Sequence, residues 1–238
     1  MNAAAAEAIF LPGFDGEAGL REEFVMEIGR CRPARAIGYP RRTLGSLDAY
    51  VRHARAQAAP DSRKVLVAES FSGLVATRWA AGDPNVLGVV LCGGFARRPL
   101  SRVPMEMAAA MPWLTRFLGC HFMARRGMAS ADPARRRWSA ALFDAIAALP
   151  NDVVRERMRL IASEDIGADL ARLAQRVVLL QFEEDAVVGR AARDYLESVC
   201  AGATVVRFPG RHSAIETRPA DSARALAAPL ERLFAAAA

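Results

Sequence analysis

A serine carries the chemistry that is easiest to read in this chain. It stands in Val65-Leu66-Val67-Ala68-Glu69-Ser70-Phe71-Ser72-Gly73-Leu74, where an apolar, β-branched run drives into Ser70 and a helix-compatible segment follows at once. Small residues, Ala68 and Ser72, stand two before and two after it. Such spacing suits a strand–serine–helix turn too tight for bulky side chains at the flanking positions. A serine placed there sits at a strand end and at a helix N-terminus, which suits a nucleophile that develops negative charge nearby. A hydroxyl is a weak nucleophile until a base removes its proton, so a histidine, an acid to orient it and donors for an oxyanion must lie elsewhere in the chain.

The elements that must position these groups alternate along the sequence. Apolar runs predict strands at Ala8–Leu11, Ala34–Tyr39, Lys64–Glu69, Val86–Cys92, Val177–Phe182 and Thr204–Phe208. Helical patterns fall between them, at about Glu17–Gly29, Ser46–Gln57, Phe71–Ala81, Arg190–Val199 and Ala220–Ala235. Continuous apolar strands alternating with helices predict a mostly parallel sheet of about six strands, covered on both faces. The rhythm breaks between about Arg97 and Leu173, where helical patterns interrupted at Pro112, Pro133 and Pro150 predict an insert after the fourth strand.

In open α/β sheets, sites form at the carboxyl ends of strands. Ser70 follows the third strand, Asp185 the fifth and His212 the last, in the order serine, acid, histidine. On these motifs the chain resembles the α/β-hydrolases over nearly its whole length, beginning at that family's third strand with the two preceding ones missing. Asp185-Ala186-Val187-Val188 matches the family's Asp-x-x-Val segment, and Gly210-Arg211-His212 stands where Gly-His is usual. Ala68 and Ser72 replace the glycines of Gly-x-Ser-x-Gly, and Leu11-Pro12-Gly13-Phe14 resembles the loop that usually reads His-Gly-x. The resemblance implies an α/β-hydrolase core at 1–96 and 174–238 with a helical cap at 97–173. It implies Ser70 as nucleophile, His212 as base, Asp185 as its orienting acid, and the Phe14 and Phe71 N–H groups as oxyanion donors.

Competing readings exist for each residue. Ser70 alone would read as a helix cap. Ser72, the rival nucleophile, has Leu74 two residues on, too large for the turn. Glu183 and Glu184 compete with Asp185, and His53 and His121 with His212, but only Asp185 precedes the Val-Val pair and only His212 follows a strand. Glu69 reads as a structural carboxylate or as one that tunes the site. Asp15 reads as a turn residue.

The predicted activity is hydrolysis of a small acyl ester or thioester through an acyl-enzyme on Ser70. Acyl transfer, or ligand binding without catalysis on the same fold, are the alternatives. Met107, Met111, Trp113 and Phe117 in the insert suit an adaptable apolar pocket or the insert's own core. Arg97, Arg98, Arg102, Arg116, Arg125, Arg126, Arg135, Arg136 and Arg137 suit an acidic partner such as an acyl carrier protein, as in the methyl ester esterases of biotin synthesis, which the chain generally resembles.

No cofactor and no metal is expected. With 238 residues, 53% hydrophobic and 24% charged, the composition is that of a globular protein. The net charge of +6 raises nucleic-acid binding, but the arginines alternate with acids as on a solvated surface and no nucleic-acid motif accompanies them. Cys31, Cys92, Cys120 and Cys200 are widely spaced and read as buried reduced thiols. Neither a signal peptide nor a membrane-length apolar run is apparent, so a cytoplasmic protein without membrane insertion is expected. A sheet shortened at one side exposes an edge through which a homodimer could form.

Overall fold

In the computed structural model, residues 6–99, 110–111 and 130–235 are described. Six strands form one sheet in the order β2-β1-β3-β4-β5-β6, and every pairing is parallel. The strands are β1 (Glu7–Leu11), β2 (Ala34–Ala36), β3 (Lys64–Glu69), β4 (Val86–Cys92), β5 (Val177–Phe182) and β6 (Thr204–Phe208). The helices described are α1 (Glu22–Gly29), α2 (Leu47–Arg55), α3 (Ser72–Ala81), α4 (Pro133–Ala147), α5 (Asn151–Ser163), α6 (Gly167–Leu173), α7 (Arg190–Val199), α8 (Ala214–Thr217) and α9 (Pro219–Ala235).

The period-two geometry of a strand divides the central apolar runs between two cores. Ile9, Leu11, Leu66, Ala68, Val89, Leu91 and Leu179 face one core, shared with α2, α3 and α6. Ala8, Phe10, Val65, Val67, Val90, Cys92 and Leu180 face the other, shared with α1 and α9. All residues of β3, β4 and β5 are buried, which explains why these strands read as unbroken apolar runs. The lone lysine, Lys64, is buried at the start of β3 and donates from its ammonium to the Ala59 carbonyl (3.2 Å).

Two expected elements differ. The second strand was expected over Ala34–Tyr39 but stops at Ala36. The Ile37 N–H still donates to the Phe10 carbonyl (2.9 Å), after which the chain turns and the Tyr39 N–H donates to Gly16 (3.0 Å). A Cβ on Gly38 would lie 2.9 Å from the Gly16 carbonyl oxygen, so this crossing needs glycine. The helix expected from Glu17 opens as a 3-10 turn, Ala18–Arg21, before α1. Arg21 leaves helical geometry (φ −118°, ψ 15°) and buries its side chain.

The segment after β4 remains tied to the sheet. Ala96 accepts the Ile166 N–H (2.9 Å), the backbones of Arg97 and Asp165 form an isolated antiparallel β-bridge, and α6 packs against α3 and α7. Pro133 opens α4, and Pro150 immediately precedes α5, positions that tolerate a missing N–H. No described helix is long and apolar enough to cross a membrane.

Candidate active site

The carboxyl ends of β1, β3, β4, β5 and β6 converge on the residues singled out from the sequence. Ser70 directly follows β3 and has φ 48°, the only positive φ of a non-glycine residue among those described. Its N–H extends the ladder to the Cys92 carbonyl (3.0 Å), and its carbonyl accepts the Gly73 N–H (2.9 Å) as α3 begins. Ala68 and Ser72 are fully buried on either side. The tight turn therefore takes alanine and serine where the family usually has glycine.

Asp185 lies three residues beyond β5 and is buried, whereas Glu183 and Glu184 are exposed. One of its oxygens accepts the Val187 and Val188 N–H groups (both 2.8 Å). The other lies 2.7 Å from Nδ1 of His212. His212, in the loop after β6, stands over the end of β4: a Cβ on Gly93 would lie 2.9 Å from its Nδ1. Gly93 adjoins Cys92, whose carbonyl holds the Ser70 N–H. The sheet thus brings the loops carrying Ser70 and His212 to neighbouring points.

The electrostatics favour a charged pair. Burial opposes the imidazolium, but the Asp185 carboxylate, its hydrogen bond and the charge of Glu69 outweigh this and raise the His212 pKa. Burial likewise opposes the Asp185 carboxylate, and His212 with the two backbone donors holds its pKa below the usual value.

Phe14 follows β1 in the loop Pro12–Gly16, and Phe71 follows Ser70. Among the described residues, neither of their N–H groups has a protein acceptor. The loop carrying Phe14 is otherwise held at nearly every polar atom. Ser72 donates its hydroxyl to the Pro12 carbonyl and lies 2.7 Å from the Tyr39 hydroxyl. The Gly13 N–H donates to Glu69 (3.0 Å), and a Cβ on Gly13 would meet that carboxylate at 2.8 Å. The Phe14 carbonyl accepts from Arg157 of α5 (2.6 Å), a guanidinium buried against Tyr39 and Tyr50.

Beneath the loop, three buried carboxyl groups surround one guanidinium. Arg21 reaches Asp15 (2.7 Å), Glu69 (2.7 Å) and Glu216 of α8 (3.2 Å). Burial raises the Glu69 pKa, but Arg21 overcomes it and holds the value below the ordinary one. The Glu216 pKa is pushed well up by burial and then by the charge of Glu69, which favours its protonated form. Sequence reasoning missed Arg21, Arg157, Tyr39 and Glu216. A carboxylate in an otherwise apolar buried strand requires a counter-ion, so Glu69 was the available signal. The abundance of arginine hid which one answers it.

The remaining expectations divide. His53 sits on α2, bonded to Gly38 (3.2 Å) and Gln57 (2.9 Å). Cys92 and Cys200 are buried and free, but Cys31, expected buried, is exposed at the end of α1. Arg97 stacks on Tyr195 (3.7 Å), and Met111 is half-buried. Met107, Trp113, Phe117, His121, Cys120, Arg102, Arg116, Arg125 and Arg126 lie outside the described residues. Among the described residues, no group of His, Cys, Asp or Glu is placed to hold a metal ion.

No curated protein matches the chain by sequence. Solved structures share its fold at low identity. An esterase from Exiguobacterium antarcticum superposes with a TM-score of 0.78 at 12% identity, covering 96% of this chain and 93% of its own. A bromoperoxidase from Bacillus anthracis does so with 0.77 at 16%, covering 96% and 93%. An enol-lactonase from Burkholderia xenovorans LB400 gives 0.74 at 16%, covering 95% and 92%. The family model described as the alpha/beta hydrolase family matches residues 8–225. With that match over most of its length, and with the parallel sheet the family requires, the chain belongs to the alpha/beta hydrolases.

Proposed function

We propose that this protein is a serine hydrolase that cleaves a carboxylic ester or thioester through an acyl-enzyme on Ser70. The observation that supports the reading is the Asp185–His212 pair, 2.7 Å apart, at the same end of the sheet as the left-handed turn at Ser70. The esterase and the enol-lactonase among the structural neighbours act, by their names, on ester bonds, which agrees with it.

In this reading His212 Nε2 takes the Ser70 hydroxyl proton as Oγ attacks the substrate carbonyl carbon. Asp185 holds the Nδ1 proton, fixes the tautomer and stabilises the imidazolium that forms. The carbonyl oxygen becomes an oxyanion between the Phe14 and Phe71 N–H groups, each such donor contributing about 3–4 kcal/mol to transition-state stabilisation. The tetrahedral intermediate collapses, the carbon–oxygen or carbon–sulfur bond breaks, and His212 protonates the departing alcohol or thiol. Water then attacks the acyl-enzyme by the same route, releasing the acid and restoring Ser70.

Ser70→Ala should abolish both hydrolysis of short-chain p-nitrophenyl esters and covalent labelling by a fluorophosphonate. Equal labelling of the variant and the wild type would overturn the assignment.

A further inference from the structure

The two proposed oxyanion donors belong to different chain segments, Phe14 to the loop after β1 and Phe71 to the start of α3. Something must fix the distance between them. β1 and β3 are paired only as far as Leu11 and Ala68. The next residue on the β1 side is Pro12, which has no N–H with which to continue the ladder. Its buried carbonyl still needs a donor.

We propose that Glu69 and Ser72, one residue before and two after Ser70, form a two-point staple that takes over where the ladder stops and sets the spacing of the Phe14 and Phe71 N–H groups. The Glu69 carboxylate accepts the Gly13 N–H (3.0 Å), and the Ser72 hydroxyl donates to the Pro12 carbonyl. Both ties cross from the elbow segment to the loop, and they flank Ser70 in sequence.

Ser72 has one hydroxyl proton, committed to Pro12, so the Tyr39 hydroxyl is the donor in the 2.7 Å contact between them. Burial raises the Tyr39 pKa and keeps that phenol protonated. Ser72 is wholly buried, and its hydroxyl is engaged on both sides. It is therefore a positioning residue, and in this chain the usual small glycine is replaced by a residue that also bonds. Glycine at this position would fit the turn and leave the Pro12 carbonyl without its partner.

The proposal rests on the reading of Phe14 and Phe71 as oxyanion donors. Its test compares Ser72→Ala and Ser72→Gly with the wild type, with kcat expressed per fluorophosphonate-titrated Ser70. A misplaced donor should lower kcat about 10- to 100-fold while KM for p-nitrophenyl butyrate stays within about twofold. The inhibition constant of an alkylboronic acid, whose adduct is tetrahedral, should rise by the same factor. A loss of folded protein alone would move none of these per-site quantities. Tyr39→Phe, which keeps the Ser72–Pro12 bond, should lose less. Amide exchange over Leu11–Gly16 should quicken in both Ser72 variants. Unchanged per-site kcat in Ser72→Gly overturns the staple. If the wild type neither turns over esters nor labels, the proposed function fails instead, and unchanged exchange in Ser72→Ala then overturns the staple independently.

Discussion

His212 shows how much a single residue's setting determines. Its raised pKa means that the free base appears only as pH climbs past the ordinary histidine value near 6.5. Ester hydrolysis should therefore rise with pH along an acid limb centred above 6.5. Asp185→Asn removes the carboxylate charge that holds the proton on the ring. The limb should move to lower pH while kcat falls by about 10⁴, because the tautomer is no longer fixed. A kcat/KM profile from pH 5 to 9 on both proteins checks this. An acid limb that stays in place would sever Asp185 from the base. At this scale the placement of Ser70, Asp185 and His212 at strand ends is legible in the sequence, because each follows an apolar strand. Glu216 was not, because its importance comes from Arg21 and Glu69, which lie far from it in sequence.

Gly93 illustrates what the ends of elements contribute. It closes β4 at φ 58° and leaves the space that His212 and Phe182 occupy. Gly93→Ala should lose about 1–2 kcal/mol in denaturant unfolding from the left-handed backbone alone, and should also lose activity by displacing the imidazole. Gly45 offers a control: at φ 92° a Cβ there meets nothing within 4 Å. Gly45→Ala should lose comparable stability and keep kcat, and equal kcat losses in both would refute the positional claim. The strands at 64–69, 86–92, 177–182 and 204–208 were readable to the residue because both their faces are buried or their ends are marked by turns. β2 was overextended because nothing in Ile37-Gly38-Tyr39 announces that Gly38 must lie against the Gly16 carbonyl, an encounter made only by folding.

At the scale of the whole molecule, the sequence reads its charge as a solvated surface, and for most of the described arginines that is where it lies. Arg35 pairs with Glu7, Arg41 with Glu17 and Arg207 with Glu197 at the periphery. Arg21 and Arg157 break the rule, each drawing distant segments together: Arg21 joins Asp15, Glu69 and Glu216, and Arg157 joins α5 to the Phe14 carbonyl. The cluster around Arg21 links acidity to stability. Above the ordinary carboxyl value near 4.5, an unfolded Glu216 loses its proton while the folded one keeps it. Its contribution to stability therefore falls as pH rises, until the raised folded value is passed. Glu69 and Asp185, with lowered values, act oppositely, and their contribution is lost as pH falls through the folded values. Glu216→Gln removes only the first effect, so its melting temperature relative to wild type should climb between pH 5 and 8. A difference that stays flat across that range would mean Glu216 is ionised in the native protein. The left-handed backbone at Ser70 sets a different conflict. An L side chain there costs roughly 1–2 kcal/mol that glycine would not incur. Directed evolution of this chain for heat tolerance, run without an activity readout, would favour Ser70→Gly and discard the hydroxyl proposed as the nucleophile.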